Sequence, residues 1–456
     1  MSKLAILGGK PIRQEKFQNR ISMGAEEKAA ALRVLDSDIL SGFVGAAGKF
    51  FNGGSEVIAF ENMWIQRYGY KSAISVNSWT TGLQACIGAI GIEPGDEVIC
   101  PPYTMSATST AVLFYGGIPV FADVEQDRYT IDPESIEKCI TPRTKAIMVV
   151  HLFGYPADMD RIMKIAKKHK LRVIEDAAQA PGVLYKGHAV GAIGDIGGFS
   201  LNFHKHIHTG EGGLIVTNDE DLALRCRLIR NHGENATEEY GVGNIANTIG
   251  SNYRYTEIQA AIGAEQFKKL EGFLNTRKSL GEYLTSRLSG LPGIKPPMHE
   301  EGTTHSYYMY PMRYLEDELG ISRNLFLRAV SAELPKPDYW DTTPLAEGYV
   351  KPLYLNPVYQ KQIAIGSKGF PFTYNKDIQY NYSLGLCPVV EKLYAKEMLL
   401  SPLIREGMNF GGIKDFADAI SKVIENTTEL KNSHLMKESN EMYDALKAIE
   451  VNVKKS

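Results

Sequence analysis

The sequence predicts an α/β fold: a large domain built on a mostly parallel sheet of seven strands, then a smaller α+β C-terminal domain. Three observations carry this. Between about residues 70 and 220, short β-branched runs alternate with amphipathic stretches, the pattern of right-handed βαβ units. Several runs are apolar throughout, as strands covered on both faces must be. From residue 256 the alternation gives way to one long stretch with helical apolar spacing and then to a different mixture.

The strands expected in the large domain are 72–76 "SAISV", 97–101 "EVICP", 118–124 "IPVFADV", 146–154 "AIMVVHLFG", 172–178 "RVIEDAA", 197–201 "GGFSL" and 213–217 "GLIVT". Helices are expected at 80–91, 158–170 and 219–233. Residues 256–291 place Ile258, Ile262, Phe267, Leu270 and Leu274 on one helical stripe. This helix should bridge to the second domain, where "SYYMYPMRYL" reads as a strand and "GGIKDFADAISKVIENTTELK" as a late helix. The expected division is 1–40 as an N-terminal segment packing on the small domain, 41–285 as the large domain and 286–456 as the small one. An aromatic- and proline-rich insertion at about 317–385 interrupts the last.

Composition narrows the partners. The 456 residues carry a formal net charge of -3, 44% hydrophobic and 23% charged side chains, values of an ordinary soluble globular protein. Nothing there calls for nucleic acid or a membrane surface. No apolar run approaches the roughly 20 residues of a membrane-spanning helix, and "MSKLAILGGKPIRQEKF" does not read as a signal peptide. The five cysteines are scattered, with no CxxC pair. That pattern suits unpaired thiols in a reducing cytoplasm.

In a parallel sheet, ligands bind beyond the carboxyl ends of the strands. There the chain places "NSWTTG", "PPYTM", "DAAQA" and "LNFHK". The last opens "NFHKHIHTGEGG", residues 202–213. If 203–208 are extended, His204, His206 and His208 share one side and Phe203, Lys205 and Ile207 the other. Three histidines could bind a metal, but no Cys, Asp or Glu nearby completes a first shell, so no metal is expected. A lysine between apolar neighbours is desolvated, which lowers its pKa and frees a nucleophilic amine; the alternative is a surface lysine after a strand. Asp176 in "VIEDAAQA" could cap a turn or hold the proton of a pyridine nitrogen, as pyridoxal phosphate (PLP) needs to act as an electron sink. Gln179 could reach the same ring. Thr80 and Thr81 at a helix N-terminus, with Ser200, offer phosphate donors; simple capping is the alternative for the threonines. The "TGEGG" turn supplies backbone angles that let the chain double back.

The ordered strings "GIEPGDEVICPPYT", "GGIPVFADV", "HLFGYPADMD", "LRVIEDAAQA", "LIRNHGE" and "GSNYRYTEIQAAIGAEQ", with "YKG…VG..GD…FS" running into the lysine and "GEGG", closely resemble the DegT/StrS-type sugar aminotransferases. These are PLP enzymes of the aspartate aminotransferase fold type I. The resemblance spans about residues 40–290. It implies that Lys205 holds PLP as a Schiff base and serves as the catalytic base. It also implies that Asp176 faces the pyridine nitrogen, Gln179 lies near the ring oxygen, and Thr80, Thr81 and Ser200 bind the phosphate. Asn252 would reach the phosphate from a neighbouring subunit of a homodimer; read alone, it is a turn residue before a helix.

Two positions depart from the family's pattern. Trp79 stands where glycine or alanine is frequent, and Met105 where an aromatic ring often stacks on the cofactor. A thioether can cover a ring face, and Tyr103 or Trp79 are the other candidates. The reaction implied is ping-pong transfer of an amino group from an amino acid, L-glutamate in the first instance, to a nucleotide-linked keto-deoxyhexose in amino-sugar or polysaccharide biosynthesis. The alternatives are a non-nucleotide ketone such as a keto-cyclitol or oxidised octulosonate, a PLP-dependent sugar dehydratase, and a PLP-binding regulator. The dehydratase branch has histidine at the Schiff-base position, and counting back from "GEGG" puts Lys205 there. A regulator needs a DNA-binding domain for which no segment reads. Tyr307, Tyr310 and the tyrosines of the 317–385 insertion are candidates for a sugar pocket or equally for the core.

Overall fold

A computed structural model of the chain describes residues 2–335 and 343–438. The large sheet has seven strands: β1 (Ser72–Val76), β2 (Glu97–Cys100), β3 (Ile118–Phe121), β4 (Thr144–Val150), β5 (Arg172–Asp176), β6 (Ile196–Ser200) and β7 (Gly213–Thr217). Their spatial order is β1-β7-β6-β5-β4-β2-β3. All pairings are parallel except those of β7, which runs antiparallel to both neighbours. Helices cover both faces, so the strands are buried almost end to end and read as continuous apolar runs.

The predicted helices form as Trp79–Ala89, Met159–His169 and Glu220–Arg230. Each begins at a side-chain cap: Ser78 Oγ accepts from Thr81 N, Asp158 from Arg161 N, and Asp219 from the N–H groups of Asp221 and Leu222. The long helix Glu257–Leu288 starts at a capping box in which Thr256 and Gln259 exchange side-chain and backbone bonds. Its first half buries Phe267 and Leu270 against the large sheet, and its second half buries Leu280, Leu284 and Leu288 against the small one.

The small sheet comprises β8 (Ile294–Lys295), β9 (Tyr310–Tyr314), β10 (Ala346–Glu347) and β11 (Met398–Ser401), all antiparallel, in the order β8-β9-β11-β10. The late helix, Phe410–Glu425, packs in the same core. Strand character in "SYYMYPMRYL" is confined to Tyr310–Tyr314. The N-terminal segment divides. Leu4 and Phe17 enter the small core, and the Ala5 and Ile12 amides donate to the buried Glu333 carboxylate. The helix Ala25–Asp36 instead sets Ala30 and Val34 against Ala261 of the long helix.

The described parts of the aromatic-rich stretch pack on both sheets. Helix Arg323–Ala332 contributes Leu325, Phe326 and Val330 to the small core. Beyond β10 the chain crosses to the large sheet and is held there by tyrosines. Tyr359 donates to Ser109 Oγ (2.6 Å), Tyr382 to the Pro119 carbonyl (2.8 Å) and Tyr380 to the Glu97 carboxylate (3.0 Å). Part of "PKPDYWDTT", residues 336–342, lies outside the described residues. Among the described residues no helix is long and apolar enough to cross a membrane, and the five cysteines are unpaired thiols.

Candidate active site

The carboxyl ends of β1, β2, β4, β5 and β6 open on one cavity. Its wall includes Trp79, Thr80, Met105, Asp176, Gln179, Ser200 and Lys205, joined by Tyr308 and Tyr349. Six of the eight residues singled out from the sequence therefore meet here. They do so because each follows a strand end, where the turn into the next element frees a side chain.

Lys205 is carried by the connection from β6 to β7. Residues 203–208 are a compact turn and not an extended segment. The ladder closes around them: Leu201 N donates to Gly212 O (2.9 Å) and Thr209 N to Leu201 O (3.0 Å), so the intervening chain must fold back on itself. Gly210 and Gly212, with φ of 83° and 159°, carry it into β7. The side chains consequently do not alternate. Phe203 is 60% exposed, whereas Lys205, His206 and Ile207 are all buried. Arg20 secures the turn by donating to the carbonyls of Phe203, Lys205 and His206.

The three histidines have separate partners. His206 meets the Ser306 carbonyl (3.0 Å) and His208 meets Ser22 Oγ (3.0 Å), while His204 lines the cavity. Burial, reinforced by nearby Lys205 and Arg20, pushes His204 down to about 4, so it is neutral at neutral pH.

The Lys205 amine forms no hydrogen bond among the described residues and lies 4.4 Å from the centroid of the Tyr308 ring. Burial lowers its pKa to about 8, and the Asp176 charge pulls it part of the way back up. The sign follows directly: desolvation penalises the ammonium, so the free amine dominates above about 8. The cofactor-free protein should thus react with PLP at a rate that climbs through a midpoint near 8. Asp176→Asn should move that midpoint down. Stopped-flow absorbance across pH checks both; a midpoint at the ordinary lysine value, about 10.4, contradicts the buried-amine geometry.

Asp176, at the end of β5, is tightly bonded. Oδ1 accepts from Trp79 Nε1 (2.8 Å) and Ala178 N (3.2 Å), and Oδ2 from Thr108 Oγ1 (2.8 Å). The Gln179 amide is oriented by the Phe153 N–H, which donates to Oε1 (2.6 Å); Nε2 then donates to the Tyr349 hydroxyl (3.0 Å). Burial raises the Tyr349 phenol to about 12, so it keeps its proton. With one lone pair engaged by Gln179, that proton is available to an acceptor.

Thr80 lines the cavity in the first helical turn after β1, near Ser200 at the end of β6. Thr81 does not line it. Its hydroxyl donates to Asn77 Oδ1 (2.7 Å), and its N–H is the one capped by Ser78, so this threonine serves the helix start. Asn252 also lies off the cavity wall, exposed, its carbonyl accepting from Asn77 Nδ2 (3.2 Å). Met105 stands at the wall but is 60% exposed, and Tyr103 is buried behind Tyr349 with edge-to-face rings 5.9 Å apart. Tyr307 and Tyr310 belong to the small core; the cavity tyrosine of that segment is Tyr308.

Tyr349, one of the tyrosines of the aromatic-rich stretch, arrives 170 positions after Gln179, whereas Thr108 sits in a short apolar helix with nothing in the sequence to mark it.

This donor set fits a phosphorylated pyridine aldehyde. An unbonded amine of lowered pKa faces a fixed carboxylate, and a helix N-terminus with two hydroxyls can take a dianion. Comparison with known proteins agrees. The family model of the DegT/DnrJ/EryC1/StrS aminotransferases matches residues 43–386. The chain belongs to this family. It is a PLP-dependent aminotransferase of fold type I. GDP-perosamine synthase of Caulobacter vibrioides is 37% identical over 320 residues, covering 69% of this chain and 82% of that protein. The structure of DesV from S. venezuelae is 30% identical, with a TM-score of 0.72 over 88% of this chain and 95% of that one. DesI, solved in the presence of its TDP-sugar product, is 26% identical, with a TM-score of 0.75 over 94% and 98%.

Proposed function

We propose that this aminotransferase moves an amino group from L-glutamate to a nucleotide-linked keto-deoxyhexose by a ping-pong mechanism. The observation that carries the reaction type is the buried Lys205 amine in one cavity with the Asp176 carboxylate. The sugar class is supported by the relatives, which are named for GDP- and TDP-linked sugars.

Bound PLP supplies an electron sink for the charge that develops at the donor's α carbon. Lys205 would hold the cofactor through its Nζ and, with that amine freed, would be the base that moves the α-carbon proton of the donor. Asp176 keeps the ring nitrogen protonated. Thr80 and Ser200 take the phosphate, and the Tyr349 hydroxyl donates to an oxygen on the side of Gln179. Leu83, Ala107 and Val150 line the apolar part of the wall and keep water out.

The working unit in this reading is a homodimer in which Asn252 of one subunit completes the other's phosphate site. Ile39, Phe50 and Ile58 support it: these apolar side chains stand 60%, 50% and 42% exposed around one cleft, a patch suited to burial against a second copy. The unpaired thiols suit the cytoplasm.

Absorption spectroscopy tests donor and acceptor together. The visible band of the PLP-loaded protein should bleach on adding L-glutamate and return on adding the right ketone. A panel of nucleotide-linked keto-sugars run beside free keto-cyclitols and oxidised octulosonates separates the two acceptor classes. A band unmoved by glutamate refutes the donor, and recovery with the free ketones alone refutes the nucleotide-linked class.

A further inference from the structure

We infer that Trp79 is a positioning residue for the cofactor ring: its indole N–H holds the Asp176 carboxylate in the orientation that meets the ring nitrogen. This rests on the reading of Asp176 as the partner of that nitrogen.

An aspartate carboxylate turns freely about its last torsion unless its oxygens are tied. Here both are. The Trp79 indole donates to Oδ1 over 2.8 Å, the Ala178 amide donates to the same oxygen over 3.2 Å, and Thr108 donates to Oδ2 over 2.8 Å. An ionised carboxylate has about four acceptor sites. Three are used, and the remaining one, on Oδ2, is left for a ring N–H. Trp79 and Thr108 stand in the helices that follow β1 and β2, while Asp176 ends β5. Three elements therefore set the plane of one carboxylate.

The surroundings are shaped to hold the indole. Gly82 lies inside the helix Trp79–Ala89, where glycine is unfavourable relative to alanine. A Cβ there would stand 2.6 Å from indole Cε3. Gly198, the register partner of Asp176, also leaves room for the six-membered ring: its Cβ would lie 2.4 Å from indole Cζ3, and 2.0 Å from the Leu214 carbonyl. Trp79 itself is 5% exposed. Its N–H has no other partner among the described residues, so the indole and the carboxylate satisfy each other.

Trp79→Phe keeps most of the ring and removes the N–H. Losing one hydrogen bond to a charged group should weaken PLP binding about ten-fold. It should also displace the pH midpoint of the visible band of the loaded protein. In an Asp176→Asn background the same substitution should change neither quantity. Thermal melting of the cofactor-free chain reports folding separately; if Trp79→Phe does not fold, Gly82→Ala, which displaces the indole, should reproduce both effects. Parental affinity and midpoint in the single variant overturn the inference, as does an equal loss in the Asp176→Asn background, which would make Trp79 a packing residue only. A parental chain that forms no visible band with PLP overturns the PLP assignment itself, and this inference with it.

Discussion

Lys205→Ala should lower transamination by about 10⁴-fold, the upper end of what a positioned base contributes. The loss is large because, in the proposed function, one amine both anchors the cofactor and carries the α-carbon proton. Folding should survive. The Lys205 side chain is buried, its Nζ has no hydrogen-bond partner to orphan among the described residues, and burying an ammonium is costly. The melting temperature of the cofactor-free variant should accordingly hold or rise. Glutamate bleaching followed in a single turnover, with a melt beside it, checks both parts. Transamination at the parental rate would sink the assignment of Lys205. The same variant probes the shared site. Mixed and reassorted with Asn252→Ala, it should recover up to about a quarter of the parental activity, because half of the reassorted dimers carry one intact site. No recovery speaks against a site completed across subunits.

Asp176→Asn should cost about 10²–10³-fold in the glutamate half-reaction, the scale on which a preorganised charge acts in a buried site. In the proposed function a neutral amide would no longer keep the ring nitrogen protonated, and charge at the α carbon would lose its sink. A stability loss should accompany it. The carboxylate now accepts from Trp79, Ala178 and Thr108, and an amide offers one accepting oxygen in place of two. A buried donor left unpaired costs about 1–3 kcal/mol. Rapid kinetics and a denaturant midpoint measure the two effects. An undiminished half-reaction would remove Asp176 from the chemistry and leave it a turn residue.

The parts of the molecule legible in the sequence are those set by local pattern. The strands of the large sheet were marked by apolar runs with small or polar residues at their ends, and Ser72–Val76 and Gly213–Thr217 stand where the pattern puts them. The helix Glu257–Leu288 was marked by its apolar stripe. A rule about strand ends then placed Lys205, Asp176, Gln179, Ser200 and Thr80 around one cavity. The sequence by itself also carried the family, since motif order and spacing survive where individual contacts vary.

The tertiary structure alone decided what depends on distant partners. An extended "FHKHIH" would alternate, but closure of β6 onto β7 through Leu201, Thr209 and Gly212 folds it into a turn and buries Lys205 and His206 together. Thr80 and Thr81 are equivalent on paper; helical rotation sends one to the cavity and the other to the cap at Ser78. Tyr308 reaches the site while Tyr307 and Tyr310 pack inside, because the small core takes its neighbours. Tyr349 and Trp79 acquire their roles only when residues far apart in the chain, Gln179 and Asp176, arrive within hydrogen-bond reach. Periodicity and capping are properties of neighbours along the chain and can be read there. A buried donor's choice of acceptor is made by packing across it.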